Sequence, residues 1–300
     1  MPRDSGAGYD FEDIRDHYLK LLFGIDPVEL RSEDVERYYA VSRVVSGEVM
    51  QRVFSEWRSA SSHCAGALVW FFKDLWPGAG WGIVDSIGKP KAAYWFLKRA
   101  WAPQAIRITD EGLDGLRLHL INETPEPVEV DVELELLREG RIATGVAKVS
   151  RELSARSTTS LQGDALLGYF SDSTCAYRFG PPKYDVIVAR LRRRATQHVL
   201  SEDFYFPCGL ALPRQRNAAV KAAAEWHRDG RVIVTLSSDV FLQALNIACK
   251  DFTPDDNYFH VAPKQERRVT FSPASDEATS FKAQFEALNL SEIISVRAER

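Results

Sequence analysis

The stretch GALVWFFKDLWPGAGWGIVDSIGKPKAAYWFLKRAW, residues 66–101, holds five of the seven tryptophans of this 300-residue chain and decides the fold of its first third. Its segment ALVWFF, residues 67–72, is apolar without alternation, which is typical of a strand buried on both faces of a parallel sheet. A glycine-rich loop follows, and residues 89–101, KPKAAYWFLKRAW, have the spacing of a helix. This order of elements predicts an α/β structure.

Two amphipathic helices are predicted before this stretch. Asp10 is a suitable N-cap and Gly24 a suitable stop for a first helix, whose apolar residues recur at spacings of three and four. A longer helix is predicted from Ser32 to about Arg58 on the same grounds. We therefore assign residues 1–104 to an α/β domain.

The rest of the chain is predicted to be all-β. In VEVDVELEL, residues 128–136, apolar and acidic residues alternate, as in an antiparallel strand with one solvated face. Another alternating region begins near Val220, where Asp229-Gly230 between two strand-like runs predicts a β-hairpin. We expect two β-sandwiches, at residues 105–212 and 213–300, each near the roughly 100 residues that such a fold requires.

Composition narrows the choice of ligand. The 38 basic and 42 acidic side chains give a net charge of −4, which offers no reason to expect a nucleic acid or a membrane as the partner and favours a neutral ligand. The four cysteines are scattered and the six histidines lack metal-ligand spacing, so we expect no metal and no cofactor. No apolar run reaches the roughly 20 residues of a membrane span and no signal-peptide core is present, so a cytoplasmic location with reduced thiols is expected.

Three motifs resemble a known family. Residues 66–103 match a pattern of glycine, tryptophan, aspartate and proline positions, and DFYFP at 203–207 and DFTPDDNYFHVAPKQERRVTF at 251–271 match two later ones. Together they are similar to the β-mannosidases of glycoside hydrolase family 2. The first pattern is matched by Gly66, Leu68, Trp70, Asp74, Trp76, Pro77, Trp81, Asp85, Gly88, Pro90, Lys91 and Tyr94.

The resemblance implies a multidomain protein of α/β plus all-β class: the carboxyl-terminal part of a (β/α)8 barrel followed by two immunoglobulin-like β-sandwiches. It also implies a retaining exo-glycosidase that removes terminal β-mannosyl residues. That chemistry needs two carboxylates about 5 Å apart, one as nucleophile and one as acid/base.

The first domain departs from the family pattern. A complete barrel takes about 250 residues, and only 104 precede the first predicted sandwich. The glutamates of this part all fall in predicted helices or the turn between them, and they are Glu12, Glu29, Glu33, Glu36, Glu48 and Glu56. We therefore expect this chain to lack both catalytic carboxylates and to be inactive by itself.

The resemblance implies a substrate-binding role for Trp70, Asp74 and Trp76, at the carboxyl end of a barrel strand, where active sites are built. An indole at such a place can stack on a sugar ring. Lys73 stands where the family usually has an asparagine, and in this the sequence departs from the pattern. Each site residue also has a plainer interpretation: Trp70 as core, Asp74 as an ion-paired or loop-capping carboxylate, and Trp76 as packing against the barrel end.

Three functions stay open at this point. The chain is a β-mannosidase portion that acts on a β-mannoside or related carbohydrate only with the missing part of the barrel. Alternatively, it is a non-catalytic carbohydrate-binding or structural β-sandwich module. In the third possibility, another chain or segment supplies the missing barrel strands, because an unpaired apolar strand at 67–72 would be prone to aggregation.

Overall fold

The computed structural model describes residues 9–169, 171–175, 180–275 and 278–300. The chain forms two compact units, Met1–Ala211 and Leu212–Arg300. The division into three domains at residues 104 and 212 stays a prediction. Within the described residues, no helix has the length and apolar character needed to cross a bilayer.

The first unit begins with helices whose limits follow from capping. Helix α1 is Phe11–Phe23, with Asp10 in a capping box and Gly24 in the left-handed conformation at its end, so the predicted helix is confirmed. The predicted start of the second helix, at Ser32, is wrong. Asp34 leaves the helical conformation and its carboxylate accepts the amide hydrogen of Arg37, which separates two helices. These are α2, Pro27–Glu33, and α3, Val35–Trp57.

Helix α4, Ala92–Ala100, confirms the helix predicted in residues 89–101. It packs closely against α3, since a Cβ on Gly47 would overlap the ring of Phe96. The predicted buried strand at 67–72 is wrong. Among the described residues before Gln104 the structure has isolated bridges but no strand, because the backbone of 67–72 meets no neighbouring strand to pair with.

The remainder of the first unit is a β-sandwich, with a short helix α5, Gly163–Leu166. Two antiparallel sheets, ordered β1-β2-β5 and β4-β3-β6-β7, face each other across a core of Val, Leu and Ile side chains. The alternation predicted at 128–136 is confirmed in β3. The strands are β1 Gln104–Asp110, β2 Leu116–Asn122, β3 Val128–Arg138, β4 Ile142–Leu153, β5 Ser157–Gln162, β6 Val186–Arg193 and β7 Val199–Tyr205.

The second unit is also a sandwich of two antiparallel sheets, ordered β12-β10-β14-β15 and β11-β13-β9-β8, around a core that is rich in phenylalanine. Strands β8 and β9 are joined at Asp229-Gly230, which confirms the predicted hairpin. The strands are β8 Val220–Trp226, β9 Val232–Ser238, β10 Leu242–Cys249, β11 Phe252–Pro254, β12 Phe259–Val261, β13 Glu266–Pro273, β14 Ser280–Glu286 and β15 Ile294–Glu299.

In the first unit a buried carboxylate joins the helices to the sandwich. Asp203, the first residue of the DFYFP motif, accepts a hydrogen bond from Gln51 of α3 at 2.9 Å and from the amide of Ile108 in β1 at 2.8 Å. The Arg107 guanidinium lies 3.9 Å from the same carboxylate. Burial raises the pKa of Asp203, and Arg107 opposes that rise. This motif therefore has a structural role.

A buried imidazole holds the turn that follows α3. His119 in β2 accepts the amide hydrogen of Ala60 at Nδ1, at 3.1 Å, while Nε2 is 2.8 Å from the hydroxyl of Thr109. That hydroxyl donates to Glu111 at 2.6 Å, so Nε2 carries the proton. Burial lowers the pKa of His119, with Glu111 raising it and Arg117 lowering it further. The neutral ring thus fixes the start of the segment that leads to residue 66.

The unfolding midpoint of the native protein should fall more steeply with decreasing pH than that of His119→Asn. Because the folded-state pKa of His119 is depressed below the ordinary 6.5, the unfolded state takes up the proton first. The stability that neutral His119 contributes is therefore fully present above about pH 6.5 and is lost as the pH falls toward the folded-state pKa. An asparagine oxygen can still accept from Ala60 but does not titrate.

Thermal unfolding followed by circular dichroism from about pH 8 to about pH 5 measures both slopes, across the range in which imidazoles titrate. Parallel slopes for the two proteins would show that His119 does not couple protonation to folding.

Candidate functional site

The segment at residues 67–72 bends at Trp70 and Phe72, and it has one side packed on the protein and one side exposed. Val69 packs against the small core formed by α3, α4 and residues 83–84. On the other face, Leu68, Trp70 and Phe72 are 97%, 83% and 64% exposed. We call these three side chains the bare face. Trp70 is therefore not a core residue of the described structure.

The carboxyl end of this segment is tied to the residues just before α4. The carbonyl oxygens of Phe71 and Phe72 accept from the amides of Ile83 and Val84 at 3.3 and 2.9 Å, and the amide of Asp74 donates to the carbonyl of Val84 at 2.9 Å. These bonds close the loop at residues 75–82, which carries Trp76. The indole of Trp76 is 69% exposed.

Asp74 is buried, unlike the tryptophans on either side of it, with 5% of its surface exposed. One carboxylate oxygen accepts the amide hydrogen of Gly82 at 2.8 Å, and the other forms an ion pair with Lys91. A Cβ at Gly80 or Gly82 would lie 2.5 Å from the carboxylate oxygen, so these positions require glycine. Asp74 organises the loop from within.

Lys91 is a site residue that the sequence interpretation matched to the family pattern but gave no role. Its ammonium group pairs with Asp74 and donates to the carbonyl of Gly80 at 3.3 Å. Its amide also donates to Ile83, at 2.9 Å, at the start of α4. The separation of 17 positions between Asp74 and Lys91 gives no helix or strand spacing from which this pair could be inferred.

The three predicted site residues thus share one stretch but not one environment. Trp70 and Trp76 present indoles to solvent, and the carboxylate of Asp74 is turned toward its own loop. Trp81, on the same loop, instead packs on Phe11 of α1, with ring centroids 4.2 Å apart. Within the described ranges, no group of three or more His, Cys, Asp or Glu side chains could hold a metal ion. The arrangement offers aromatic surface on a rigid loop.

The chain is similar in sequence to known proteins. Residues 216–293 match a family model described as an Ig-fold domain, Ig_mannosidase. Beta-mannosidase B of Aspergillus clavatus is 28% identical over 271 residues, which cover 84% of this chain and 31% of the relative. Beta-mannosidase B of Aspergillus niger is 29% identical over 158 residues, covering 47% and 19%. The chain is related to the carboxyl-terminal portion of glycoside hydrolase family 2 β-mannosidases.

Solved structures agree at the level of the fold. A β-D-mannosidase from Dictyoglomus thermophilum superposes with a TM-score of 0.74 at 20% identity, over 93% of this chain and 32% of that one. An exo-chitosanase from Amycolatopsis orientalis gives a TM-score of 0.75 at 13% identity, over 98% and 38%. The chain spans less than a third of the length of the two curated β-mannosidases.

Removing the charges that hold the loop should have graded effects. Asp74→Ala should lower the free energy of unfolding by about 1–3 kcal/mol, since the Gly82 amide loses its acceptor while the partly exposed Lys91 can be solvated. Lys91→Met should cost more, about 3–5 kcal/mol, because it leaves a buried carboxylate without its counter-ion. Lys89→Met is the matched control, since Lys89 is exposed.

Chemical denaturation measures these differences, and chymotrypsin digestion reports opening of the loop at its aromatic residues. Native-like stability and native-like cleavage in both loop variants would contradict the anchoring role of Asp74.

Proposed function

We propose that the chain is the carboxyl-terminal portion of a retaining exo-β-mannosidase, in which Trp70, Asp74 and Trp76 form one wall of the substrate site. The groups that perform the chemistry would come from residues outside these 300. The similarity to β-mannosidases over most of the chain supports the substrate class. The proposal that the catalytic groups lie outside these residues depends on the positions of the carboxylates in this chain.

The observation that carries the proposal is the position of the acidic groups near the wall. Retaining hydrolysis needs two carboxylates about 5 Å apart that face the sugar. Between residues 9 and 104, the described part that bears the wall, every glutamate lies in α1, α2 or α3. Asp74 is buried and engaged with Gly82 and Lys91. Asp85 accepts hydrogen bonds from the backbone amides of Ile87 and Lys89. In the proposal, a nucleophile and an acid/base are therefore supplied by another segment.

The two indoles are suited to binding rather than to catalysis. Trp70 and Trp76 expose aromatic faces, on which the C–H groups of a pyranose ring can stack. The Asp74–Lys91 ion pair restrains the loop at residues 75–82, which carries Trp76. This loop would therefore lose little conformational entropy when a sugar binds. In the proposed site Asp74 acts as a positioning residue, and Trp70 and Trp76 contact the sugar.

The purified chain should not hydrolyse p-nitrophenyl β-D-mannoside, and it should bind methyl β-D-mannoside weakly through Trp70. We expect Trp70→Ala to weaken binding about tenfold, which corresponds to about 1.4 kcal/mol, whereas Trp226→Phe, in the second unit, should leave it unchanged. Turnover is followed by release of nitrophenol, and binding by tryptophan fluorescence.

The two measurements decide different points. Robust turnover by the isolated chain would contradict the absence of the catalytic carboxylates. Binding that is insensitive to Trp70→Ala would contradict the role of this indole. If the chain binds the sugar but still shows no turnover after the missing part of the barrel has been supplied, this result would favour the alternative, a carbohydrate-binding module.

The bare face supports a further part of the proposal, that another chain or segment supplies barrel strands against residues 67–72. A row of exposed apolar side chains on a segment that no neighbouring strand covers is a surface on which a further segment can pack. Until that segment is present, copies of the chain are expected to use the face for self-association.

Replacing Leu68 and Phe72 together by Glu should make the isolated chain more monodisperse without lowering its stability by more than about 0.5 kcal/mol, because both side chains are exposed. Ile142→Glu, at an exposed apolar position of β4, is the control. Light scattering across a concentration series compares the two variants with the native chain. A native chain that is monomeric at every concentration would contradict an uncovered face.

A further inference from the structure

A cleft, the second candidate site of the first unit, borders the segment at residues 67–72 and includes Ala67 in its lining. It has a volume of about 610 Å³, within the range of about 300–1,000 Å³ that is usual for small-molecule sites. The carboxyl ends of α3 and α4 form one side, and the turn at residues 59–67 passes along another. Its lining includes none of Trp70, Asp74 and Trp76. The cleft is therefore a separate candidate site.

Three aromatic rings form the apolar part of this cleft. Phe54 is buried, and Trp57 and Trp101 pack edge-on against it, with ring centroids 5.1 and 5.3 Å away. The two indoles come from different helix ends and are 42% and 43% exposed. Each indole packs on Phe54 and keeps part of its surface exposed, so a ligand could stack on it at a small cost in side-chain entropy.

The polar part of the cleft carries balanced charge. Arg58 pairs with Glu123 at 2.9 Å and also donates to the backbone carbonyls of Ala100 and Ala102, which fixes the guanidinium. Glu123 keeps 55% of its side chain exposed, so its carboxylate can accept further hydrogen bonds. Thr158 adds an exposed hydroxyl from β5. A compensated ion pair attracts neither anions nor cations, and its free acceptor suits hydroxyl groups.

We propose that this cleft binds neutral pyranose rings of an oligosaccharide, stacked on Trp57 or Trp101 and hydrogen-bonded through Glu123 and Thr158. Indole faces beside hydroxyl-binding groups match a ring whose faces are apolar and whose edge is polar. Glu123 is the single carboxylate of the lining, so the cleft binds without hydrolysing. The binding of a neutral pyranose is inferred from the chemistry of the cleft, and the choice of a mannose oligosaccharide rests on the proposed function.

The cleft would hold a part of a longer saccharide that the wall does not contact. A second, non-catalytic contact of this kind raises the local concentration of a polymeric substrate without taking part in bond cleavage. A trisaccharide is therefore a more suitable probe than a monosaccharide.

Thr158→Arg tests the site by filling it. Thr158 lies on an exposed position of β5, so a larger side chain should block the cleft without removing core packing. Thr159→Arg is the matched control, an exposed neighbour in the same strand that does not line the cleft. We expect mannotriose to bind at least tenfold more weakly to Thr158→Arg than to Thr159→Arg, measured by saturation-transfer NMR in the full 300-residue chain.

Trp57→Phe is an independent test, since it keeps an aromatic ring in contact with Phe54 but reduces the surface on which a sugar can stack. We expect it to weaken mannotriose binding several-fold while Trp70→Ala leaves the cleft signal in place. Equal binding by both Thr variants, or no binding of mannotriose by the native chain, would overturn the proposal. Loss of binding in Trp70→Ala alone would assign the ligand to the wall and would also overturn it.

Discussion

The bare face at residues 67–72 is the constraint on which the interpretation of this chain depends. Val69 packs on the core beside α3 and α4, whereas Leu68, Trp70 and Phe72 are exposed. The helices cover the first face. The second face is open to solvent in the described structure, and in the proposed function it is the face that further chain or a ligand covers.

Two buried carboxylates hold the elements around this segment in place. Asp74 accepts from Gly82 and pairs with Lys91, and Asp203 accepts from Gln51 and Ile108 near Arg107. In each case a charge removed from water is compensated by a donor from the backbone and a nearby cation. Such groups are costly to disrupt, because loss of a partner leaves an unsatisfied charge in a poorly polarisable environment.

Aromatic residues of the first unit divide into two groups with different roles. Trp95 and Phe96 of α4 are buried in packing, with 5% and 1% of their surfaces exposed. Trp70 and Trp76 on the wall and the indoles of the second cleft keep large exposed faces. Because burying an indole is strongly favourable in water, the exposed indoles on restrained elements are the candidate binding surfaces of this unit.

Local sequence signals were sufficient for much of the secondary structure. The Asp10 cap, the Gly24 stop, the Asp229-Gly230 hairpin and the alternation at 128–136 each depend on neighbouring residues, and each is confirmed. The motifs also pointed to the family to which the comparisons relate the chain. The placement of Trp70, Asp74 and Trp76 in a substrate site stays a prediction.

What the sequence by itself determined is therefore the set of locally encoded elements and the family resemblance. Only the tertiary structure decided that 67–72 is not a paired strand, that the Asp74 carboxylate is directed inward to Lys91, and that Trp57 and Trp101 meet across Phe54. An apolar run predicts burial, but whether it is buried depends on a partner strand that local residues do not specify. Contacts between residues far apart in sequence arise from packing, which local periodicity does not encode.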